Sequence, residues 1–363
     1  MDETRHSKTV LIIGGATGGH LSPALALGHE LKYSHHCRVI MILNPRAEKL
    51  KEHIPAYDFT YVTMPGIRHR FNPAELARAV RGALKIISFY KPDLIVGFGS
   101  AVSLPVIIAG WLRRVPRALH EQNAFFGLAN NAGRLFCGTV GLSFPIASVR
   151  DSKKYFVCGN LLRPELVRYL RQLPPYEERV RPGHTRLLVI GGSQGAHAVN
   201  QTVVQTFRHM PEQERACFSA YHMVGPGENC EVFDQEYRAL GIEHCVRQFH
   251  PDIGQIYAVS DLVISRAGAG SISEITAFGL PAILVPYPYA RKHQKANAEC
   301  LERHHAAVCI DQRDFTPARA AALLMELHHD FDKRVAMHTA ALSLAHPYSS
   351  RIFAARVAET LLR

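Results

Sequence analysis

The segment Leu11-Ile-Ile-Gly-Gly-Ala-Thr-Gly-Gly-His20 has a near copy later in the chain, Leu188-Val-Ile-Gly-Gly-Ser-Gln-Gly-Ala-His197, and six of the ten paired residues are identical. In both copies the branched apolar residues predict a buried strand, and the glycines that follow permit a tight turn into a helix. The N-terminus of such a helix has unpaired N–H groups and a partial positive charge, which favour phosphate or another anion. The repeat therefore predicts two similar lobes, each with an anion-binding end.

Strand-like and helix-like segments alternate on both sides of a proline-rich connection, 160–185, in which one short helix is expected. Such alternation is typical of βαβ units and a parallel sheet. The predicted strands are 9–13, 38–43, 59–63, 93–97, 117–120, 138–142, 154–158, 186–190, 217–224, 245–249, 261–265, 281–285 and 307–310. The predicted helices include 22–33, 73–90, 102–113 and 349–363. The fold class is therefore α/β, with two Rossmann-like, doubly wound lobes facing a central cleft and ligands at the carboxyl ends of the strands.

The bulk composition restricts the classes of protein to which the chain can belong. Its 363 residues are enough for two domains, and 47% of them are hydrophobic. The eight cysteines form no CxxC pair, and neither a signal peptide nor a run of 18 apolar residues is found, so a cytoplasmic protein is expected. The net charge of +11 is compatible with nucleic acid, anionic lipid or a phosphorylated ligand. No arginine-rich stripe with stacking aromatic residues is present, so no nucleic-acid partner is predicted.

Two common phosphate-binding motifs do not match the glycine loops. An NTPase loop requires GxxxxGK[ST], but His20 and Leu21 occupy the positions of the lysine and the hydroxyl residue. A dinucleotide site requires GxGxxG, which neither copy contains, and the second strand ends at Asn44 without a ribose-binding carboxylate. An NTPase or a dehydrogenase is therefore disfavoured, although a glycine turn of this kind can also be purely structural.

Polar clusters follow several of the other predicted strands. They are GFGS (97–100), HEQN (120–123), SRAGAGSISE (265–274) and PYPYARKHQ (286–294). Because the carboxyl ends of parallel strands meet at one edge of a sheet, these clusters are expected to line a ligand site.

In order along the chain, the motifs GGATGGH (14–20), GFGS, HEQN, GNLLR (159–163), GGSQG (191–195), SRAGAGSISE and PYPYARKHQKANA (286–298) resemble those of the MurG-type transferases of peptidoglycan synthesis. The resemblance implies a GT-B fold and inverting transfer of GlcNAc from UDP-GlcNAc to undecaprenyl-pyrophosphoryl-MurNAc-pentapeptide, which converts lipid I to lipid II. It implies an acceptor-binding and membrane-facing lobe, 1–159, to which 345–363 returns, and a UDP-sugar lobe, 160–344. Neither a cofactor nor a metal is expected.

The resemblance also implies the roles of individual residues. Those expected to bind substrate are Thr17, Gly18, Gly19, Asn123, Arg163, Ser193, His250, Ala269, Gly270, Ser271, Ile272, Ser273, Glu274 and Gln294. Among them, Glu274 would accept the ribose hydroxyls, Gln294 would contact the GlcNAc ring, and residues 269–273 would offer helix amides to the diphosphate. His197 is expected to be an incidental helix residue.

His20 is the candidate general base, because imidazole can accept the proton of a sugar hydroxyl near neutral pH. Two alternatives remain at this point: His20 binds the acceptor diphosphate instead, or Glu121 is the catalytic residue. Three positions depart from the family pattern, namely Ala16, Ser100 and His250. Another UDP-sugar enzyme of the same fold, such as one with a different acceptor or an epimerase, and a non-catalytic UDP-sugar-binding protein are the alternative functions.

Cationic residues are concentrated in two stretches, 67–91 and 111–117, each of which also contains aromatic residues. A basic rim around apolar side chains is typical of a surface that docks on an anionic membrane. The sequence thus predicts peripheral attachment to the cytoplasmic face of the cell membrane, although an ordinary amphipathic helix with a solvated cationic face would have the same pattern.

Overall fold

A computed structural model describes residues 7–15, 18–45, 57–67, 72–181, 183–192, 195–290 and 293–361. The chain forms two compact units. The first, here called the N lobe, extends to Pro164 and also includes the chain from Tyr348 onward, whereas the C lobe comprises Glu165–Pro347.

The N lobe is built around a parallel sheet in the order β3-β2-β1-β4-β5-β6-β7. Its strands are β1 (Thr9–Gly15), β2 (Arg38–Leu43), β3 (Thr60–Thr63), β4 (Leu94–Gly97), β5 (Arg117–Glu121), β6 (Thr139–Leu142) and β7 (Tyr155–Val157). The connecting helices are α1 (Gly18–Tyr33), α2 (Pro73–Tyr90), α3 (Ser103–Leu112) and α4 (Leu128–Gly133). Apolar clusters cover both faces of the sheet, because side chains of a parallel strand alternate between two buried faces.

The C lobe repeats the arrangement with the parallel sheet β10-β9-β8-β11-β12-β13. Its strands are β8 (Thr185–Ile190), β9 (Phe218–Met223), β10 (Glu243–Arg247), β11 (Leu262–Ser265), β12 (Ala282–Leu284) and β13 (Ala307–Cys309). Its helices are α5 (Pro164–Leu170), α6 (Tyr176–Arg179), α7 (His197–His209), α8 (Glu212–Arg215), α9 (Cys230–Ala239), α10 (Ile253–Val259), α11 (Ala269–Ala277), α12 (His293–Glu302), α13 (Pro317–His329) and α14 (Phe331–Ser343).

The last helix, α15 (Ser349–Ala358), belongs to the N lobe and packs against α1. Its start is held by the Ser349 hydroxyl, which donates to the Asn160 carbonyl oxygen (2.7 Å) and accepts from the Leu162 N–H (3.3 Å). Phe353 is fully buried and lies against Gly141 of β6, where a Cβ would come within 2.7 Å of its ring. The helix thereby completes the core of the N lobe.

The predicted α/β class with two Rossmann-like, doubly wound lobes is confirmed, and every predicted strand is present. Some boundaries were wrong. The 160–185 connection contains two short helices, α5 and α6, rather than one, and α1 begins at Gly18 instead of residue 22. The strand predicted at 245–249 lies two residues earlier because Phe249, which made that segment look apolar, is 46% exposed beyond its end.

In each sheet the strand order reverses at one place, between β1 and β4 in the N lobe and between β8 and β11 in the C lobe. Ligands of open α/β sheets bind outside the carboxyl ends of the strands at such a switch point. The two glycine loops follow β1 and β8, so each lies at the switch point of its own lobe. None of the helices in the described ranges has the length and apolar character needed to cross a bilayer.

Candidate active site

The loops after β1 and β4 converge at the N-lobe switch point. Gly15 has a φ of +71°, and a Cβ added there would lie 2.9 Å from the Cβ of His20 and 3.2 Å from that of Ser100. Ser100 itself has a φ of +78°, a region that glycine occupies without strain and serine does not. This backbone conformation gives a physical reason for the glycine that the family pattern has in place of Ser100.

His20 lies in the first turn of α1 and is half-buried. Its Nδ1 atom is 3.0 Å from Oε1 of Gln122, which follows β5. Within the described part of the chain, Nε2 of His20 has no hydrogen-bond partner. The ring is therefore held at one nitrogen while the other can accept a proton.

Glu121 is only 2% exposed, and both of its carboxylate oxygens are hydrogen-bonded to the loop that follows it. Oε1 accepts from the backbone N–H (3.0 Å) and Nδ2 (3.1 Å) of Asn123. Oε2 accepts from the Gly127 N–H (3.1 Å) and from Nδ2 of Asn130 (2.8 Å). These bonds fix the loop at the end of β5 and orient Asn123.

Five N-lobe side chains have buried polar atoms without a hydrogen-bond partner among the described residues, namely those of Ser103, Asn130, Ser143, Asn160 and Arg163. Two of these atoms are Oγ of Ser103, in the first turn of α3, and Nε of Arg163, after β7. Buried polar groups are nearly always paired, and each exception calls for an explanation such as an absent ligand. Both atoms can donate to an anionic oxygen.

The second glycine loop resembles the first in its backbone but not in its histidine. Gly192 has a φ of +78°, which matches Gly15, the residue paired with it in the repeat. However, α7 begins at His197 itself, whereas α1 begins two residues before His20. The side chain of His197 is 72% exposed, and its Nδ1 is 2.8 Å from a carboxylate oxygen of Glu228. The repeated histidines consequently occupy different environments.

Beside this loop at the C-lobe switch point, α11 begins with an open N-terminus. Its N-cap is Gly268, and among the described residues no side chain caps the first turn. A Cβ added at Gly270 would meet no described atom within 4 Å, so there is free space next to the helix start. Ala269, Ser271, Ile272 and Ser273 complete this turn. Uncapped N–H groups with space beside them can bind a diphosphate.

Glu274 lies in the second turn of α11 and is half-buried. Tyr257, which is 1% exposed on α10, donates from its hydroxyl to Oε2 of Glu274 (2.9 Å). A hydrogen bond from a buried tyrosine restricts the rotamers of the carboxylate. Tyr257 therefore orients the residue for which the family resemblance implies ribose binding.

Two further contacts order the loop after β12. Oε1 of Gln294 accepts from the Tyr287 N–H (2.9 Å), which leaves the amide N–H groups of Gln294 as donors. The buried Arg266 donates to the Val285 carbonyl oxygen (3.1 Å), and desolvation lowers the pKa of its guanidinium to about 10.

His250 lies after the edge strand β10, and its Nδ1 accepts from the Asp252 N–H (3.1 Å), so it supports the turn into α10.

The structure brings some of the predicted residues together and separates others by lobe. His20 lies beside the HEQN loop in the N lobe. Gly18, Gly19 and Arg163 also belong to the N lobe. His250, Glu274, Gln294 and the start of α11 belong to the C lobe. Thr17 and Ser193 lie outside the described residues.

Sequence reasoning assigned no role to Gln122, Tyr257 or Arg266. Gln122 and Arg266 were inside quoted motifs, so their polar character next to a strand end was an available signal. Tyr257 stands in an ordinary amphipathic helix, and no pattern distinguishes it from a core tyrosine.

Comparisons with known proteins match two stretches of the chain to two domains of one family. Residues 10–141 match the glycosyltransferase family 28 N-terminal domain, and residues 186–352 match the glycosyltransferase family 28 C-terminal domain. A UDP-N-acetylglucosamine–N-acetylmuramyl-(pentapeptide) pyrophosphoryl-undecaprenol N-acetylglucosamine transferase of Anaeromyxobacter sp. is 34% identical over 365 residues, which cover 98% of this chain and 94% of the relative.

A protein with the same name from Chelativorans sp. is 35% identical over 356 residues, covering 96% of this chain and 94% of the relative. The crystal structure of Acinetobacter baumannii MurG superposes with a TM-score of 0.79 at 24% identity, covering 97% of this chain and 99% of that one. The likeness to the crystal structure supports the fold, and the full-length relatives support the family. The chain belongs to glycosyltransferase family 28 and, within it, to the MurG-type UDP-N-acetylglucosamine–N-acetylmuramyl-(pentapeptide) pyrophosphoryl-undecaprenol N-acetylglucosamine transferases.

Proposed function

We propose that the chain transfers GlcNAc from UDP-GlcNAc to the 4-hydroxyl of MurNAc in undecaprenyl-pyrophosphoryl-MurNAc-pentapeptide, with inversion at the anomeric carbon. The observation that carries the proposal is the match over nearly the whole chain to relatives named for this reaction. The two switch points support it, because the N lobe offers a histidine with one unengaged nitrogen and the C lobe offers an open helix N-terminus.

In this reaction the C lobe holds the donor. The N–H groups at the start of α11 bind the UDP diphosphate, and Glu274, oriented by Tyr257, accepts the ribose hydroxyls. Gln294 donates to the hydroxyls of the GlcNAc ring, and the backbone near His250 contacts the uracil. As UDP leaves, the helix amides stabilise the negative charge that develops on the diphosphate. Ser193, outside the described residues, is assigned to the same phosphates.

The N lobe holds the acceptor and the general base. Nε2 of His20 accepts the proton of the MurNAc hydroxyl as that oxygen attacks the anomeric carbon. The first turns of α1 and α3, with the Ser103 hydroxyl, provide donors for the acceptor diphosphate, and Asn123 donates to the bound sugars. The unpaired Nε of Arg163 is a donor for a phosphate oxygen of the UDP-sugar. Thr17, outside the described residues, is assigned to the donor sugar with Gly18 and Gly19.

The decisive experiment measures transfer of labelled GlcNAc from UDP-GlcNAc to a short-chain lipid I analogue. We expect a β-linked disaccharide product from the α-linked donor, and a kcat about 10²- to 10⁴-fold lower for His20→Ala, which is the usual contribution of a general base. Consumption of UDP-GlcNAc at the same rate without acceptor would instead identify an epimerase. Donor binding without transfer to the analogue would identify a non-catalytic binding protein.

We also propose that the N lobe docks peripherally on the anionic cytoplasmic leaflet through a surface here called the apolar edge. It consists of Phe89, Trp111, Leu112 and Leu135, which are 50–78% exposed. Trp111 packs edge-on against Phe136, with ring centroids 5.4 Å apart, so the ends of α2 and α3 and the turn before β6 supply one continuous patch. The cations Arg78, Arg81, Lys85, Lys91, Arg113 and Arg114 are exposed on the same two helices or just after them.

Docking of the apolar edge is tested by co-sedimentation with vesicles that contain either anionic or only zwitterionic lipid. We expect stronger binding to anionic vesicles and a weakening with added salt. Burial of one large apolar side chain contributes about 1.5–3 kcal/mol, so Trp111→Ser should lower the partition coefficient about tenfold or more. Val232→Ser, which removes an exposed apolar side chain from the C lobe, is the matched control. Equal binding to both vesicle types, or an equal effect of the two substitutions, would refute docking.

A further inference from the structure

A continuous line of hydrogen bonds leads from the core of the N lobe to the candidate base. Nε2 of His120 is 3.0 Å from the Gly159 carbonyl oxygen, and Nδ1 of His120 is 3.3 Å from Nε2 of Gln122. The Gln122 amide nitrogen is also 2.9 Å from the His120 carbonyl oxygen. At the far end, Oε1 of Gln122 faces Nδ1 of His20 at 3.0 Å.

The backbone carbonyls at one end of this line determine where every proton lies. A carbonyl oxygen can only accept, so Nε2 of His120 must carry a proton toward Gly159, and a neutral His120 then has a bare Nδ1. The Gln122 amide must likewise direct its NH₂ group toward His120, with one hydrogen for the carbonyl oxygen and one for Nδ1. Its oxygen is left to face His20, whose Nδ1 must therefore carry the proton.

The surroundings keep His120 in the neutral form that this assignment requires. His120 is 0% exposed, and burial lowers the pKa of its imidazole to about 4. The rings of Phe98 and Phe353 pack on it, with centroids 5.5 Å and 5.2 Å away. His120 is therefore uncharged at neutral pH, and the proton positions along the line do not change there.

Ionisable groups next to the line, or next to the aromatic rings packed around it, come from three elements. Glu121, on β5, is bonded to its own loop, and Cys158, after β7, is buried with its thiol pKa raised to about 12. On α15, Arg356 lies over the Phe156 ring, which stacks on Phe353.

We propose that His120 and Gln122 are positioning residues that hold His20 in the tautomer with its proton on Nδ1, so that the lone pair of Nε2 points to the acceptor hydroxyl. The inference rests on the proposed function, in which His20 is the base. A neutral amide also differs from the carboxylate that supports histidine in serine-protease triads. It fixes the ring without placing a negative charge beside it.

The direct test is the tautomer itself, read from ¹⁵N shifts in long-range ¹H–¹⁵N spectra of full-length protein labelled at histidine nitrogen. His20 is assigned by the signals that disappear in His20→Gln. We expect Nδ1 protonated and Nε2 bare in the wild type, and a mixture of both tautomers in Gln122→Met, which cannot accept from Nδ1. Gln201→Met, an exposed position on α7, is the matched control. The same single tautomer in Gln122→Met as in the wild type would overturn the proposal.

A kinetic test separates positioning from a merely structural role through the pH profile. In Gln122→Glu a carboxylate faces Nδ1 and raises the pKa of His20, so the acid limb of kcat/KM should move up by about one pH unit or more. Gln122→Met should lower kcat at least tenfold with the KM for UDP-GlcNAc unchanged. If Gln122→Met does not fold, the pH profile and the ¹⁵N spectra of Gln122→Glu test the proposal instead. An acid limb of kcat/KM at the same pH in Gln122→Glu as in the wild type would refute the proposal. Full activity in His20→Gln would instead overturn the base assignment, whichever tautomer the spectra report.

Discussion

The Tyr257 hydroxyl donates to the Glu274 carboxylate, so this pair is a probe of the proposed donor binding. Tyr257→Phe keeps the buried ring and removes only the hydroxyl. A hydrogen bond of this kind contributes about 1 kcal/mol, so we expect the KM for UDP-GlcNAc to rise about fivefold with little change in kcat.

Glu274→Ala should raise the same KM further, because it removes the ribose acceptor itself. Tyr237→Phe serves as the control, since Tyr237 is equally buried in the C lobe but bonds to His222, away from the proposed donor contacts. A fivefold loss of kcat in Tyr257→Phe at constant KM would contradict the role of the pair in donor binding.

At the level of single residues, the sequence was most informative where a side chain and its motif lie on one helix. Glu274 and the start of α11 are separated by little more than one turn, so their proximity followed from spacing alone. Glu121 shows the opposite case. The bonds of its carboxylate to Asn123, Gly127 and Asn130 depend on how the loop folds back. No periodic pattern encodes that path.

At the scale of the elements, helix α15 packs a ring against His120, which is linked through Gln122 to the candidate base His20. Phe353 is fully buried between Gly141 and the His120 ring, and Phe-to-Ala changes in cores cost about 3–5 kcal/mol. We expect Phe353→Ala to lower the free energy of unfolding of the N lobe by this amount in urea denaturation. It should also lower activity, because His120 loses the ring that packs against it.

The neighbouring residue on the same helix supplies the control for that prediction. Ile352 is 48% exposed, so Ile352→Ala should change stability by no more than about 0.5 kcal/mol. If both substitutions had the same small effect, α15 would not be an integral part of the N-lobe core.

Element boundaries were predicted best for buried strands and worst where an apolar or glycine signal was misleading. Strand β2 was predicted without error because nearly all of its residues are apolar and buried. The start of α1 was placed too late, because glycines and Pro23 normally mark a helix boundary. In the structure Gly18 and Gly19 are helical and Pro23 lies within the helix. This earlier start brings His20 into the first turn, a difference between the glycine loops that their similar sequences did not reveal.

For the whole molecule, the repeated glycine loop correctly predicted two doubly wound lobes. Each copy follows the first strand of its lobe, and that strand lies at the switch point of the sheet. The return of α15 to the N lobe was implied only by the family resemblance. Helix α15 packs on α1, which is far from it in the sequence. Such a contact leaves no local sequence pattern, because it depends on the complete N-lobe core.

The proposed binding of UDP to the C lobe predicts how this ligand changes the stability of the whole protein. A ligand that binds only the folded state, at one hundred times its Kd, stabilises it by about 2.7 kcal/mol. UDP should therefore raise the Tm of the C lobe by about 5–10 °C in calorimetry. Glu274→Ala should lose most of that rise at the same UDP concentration, whereas His20→Ala, in the N lobe, should keep it. The reverse result would assign the nucleotide to the N lobe, because a bound ligand stabilises first the unit whose unfolding would release it.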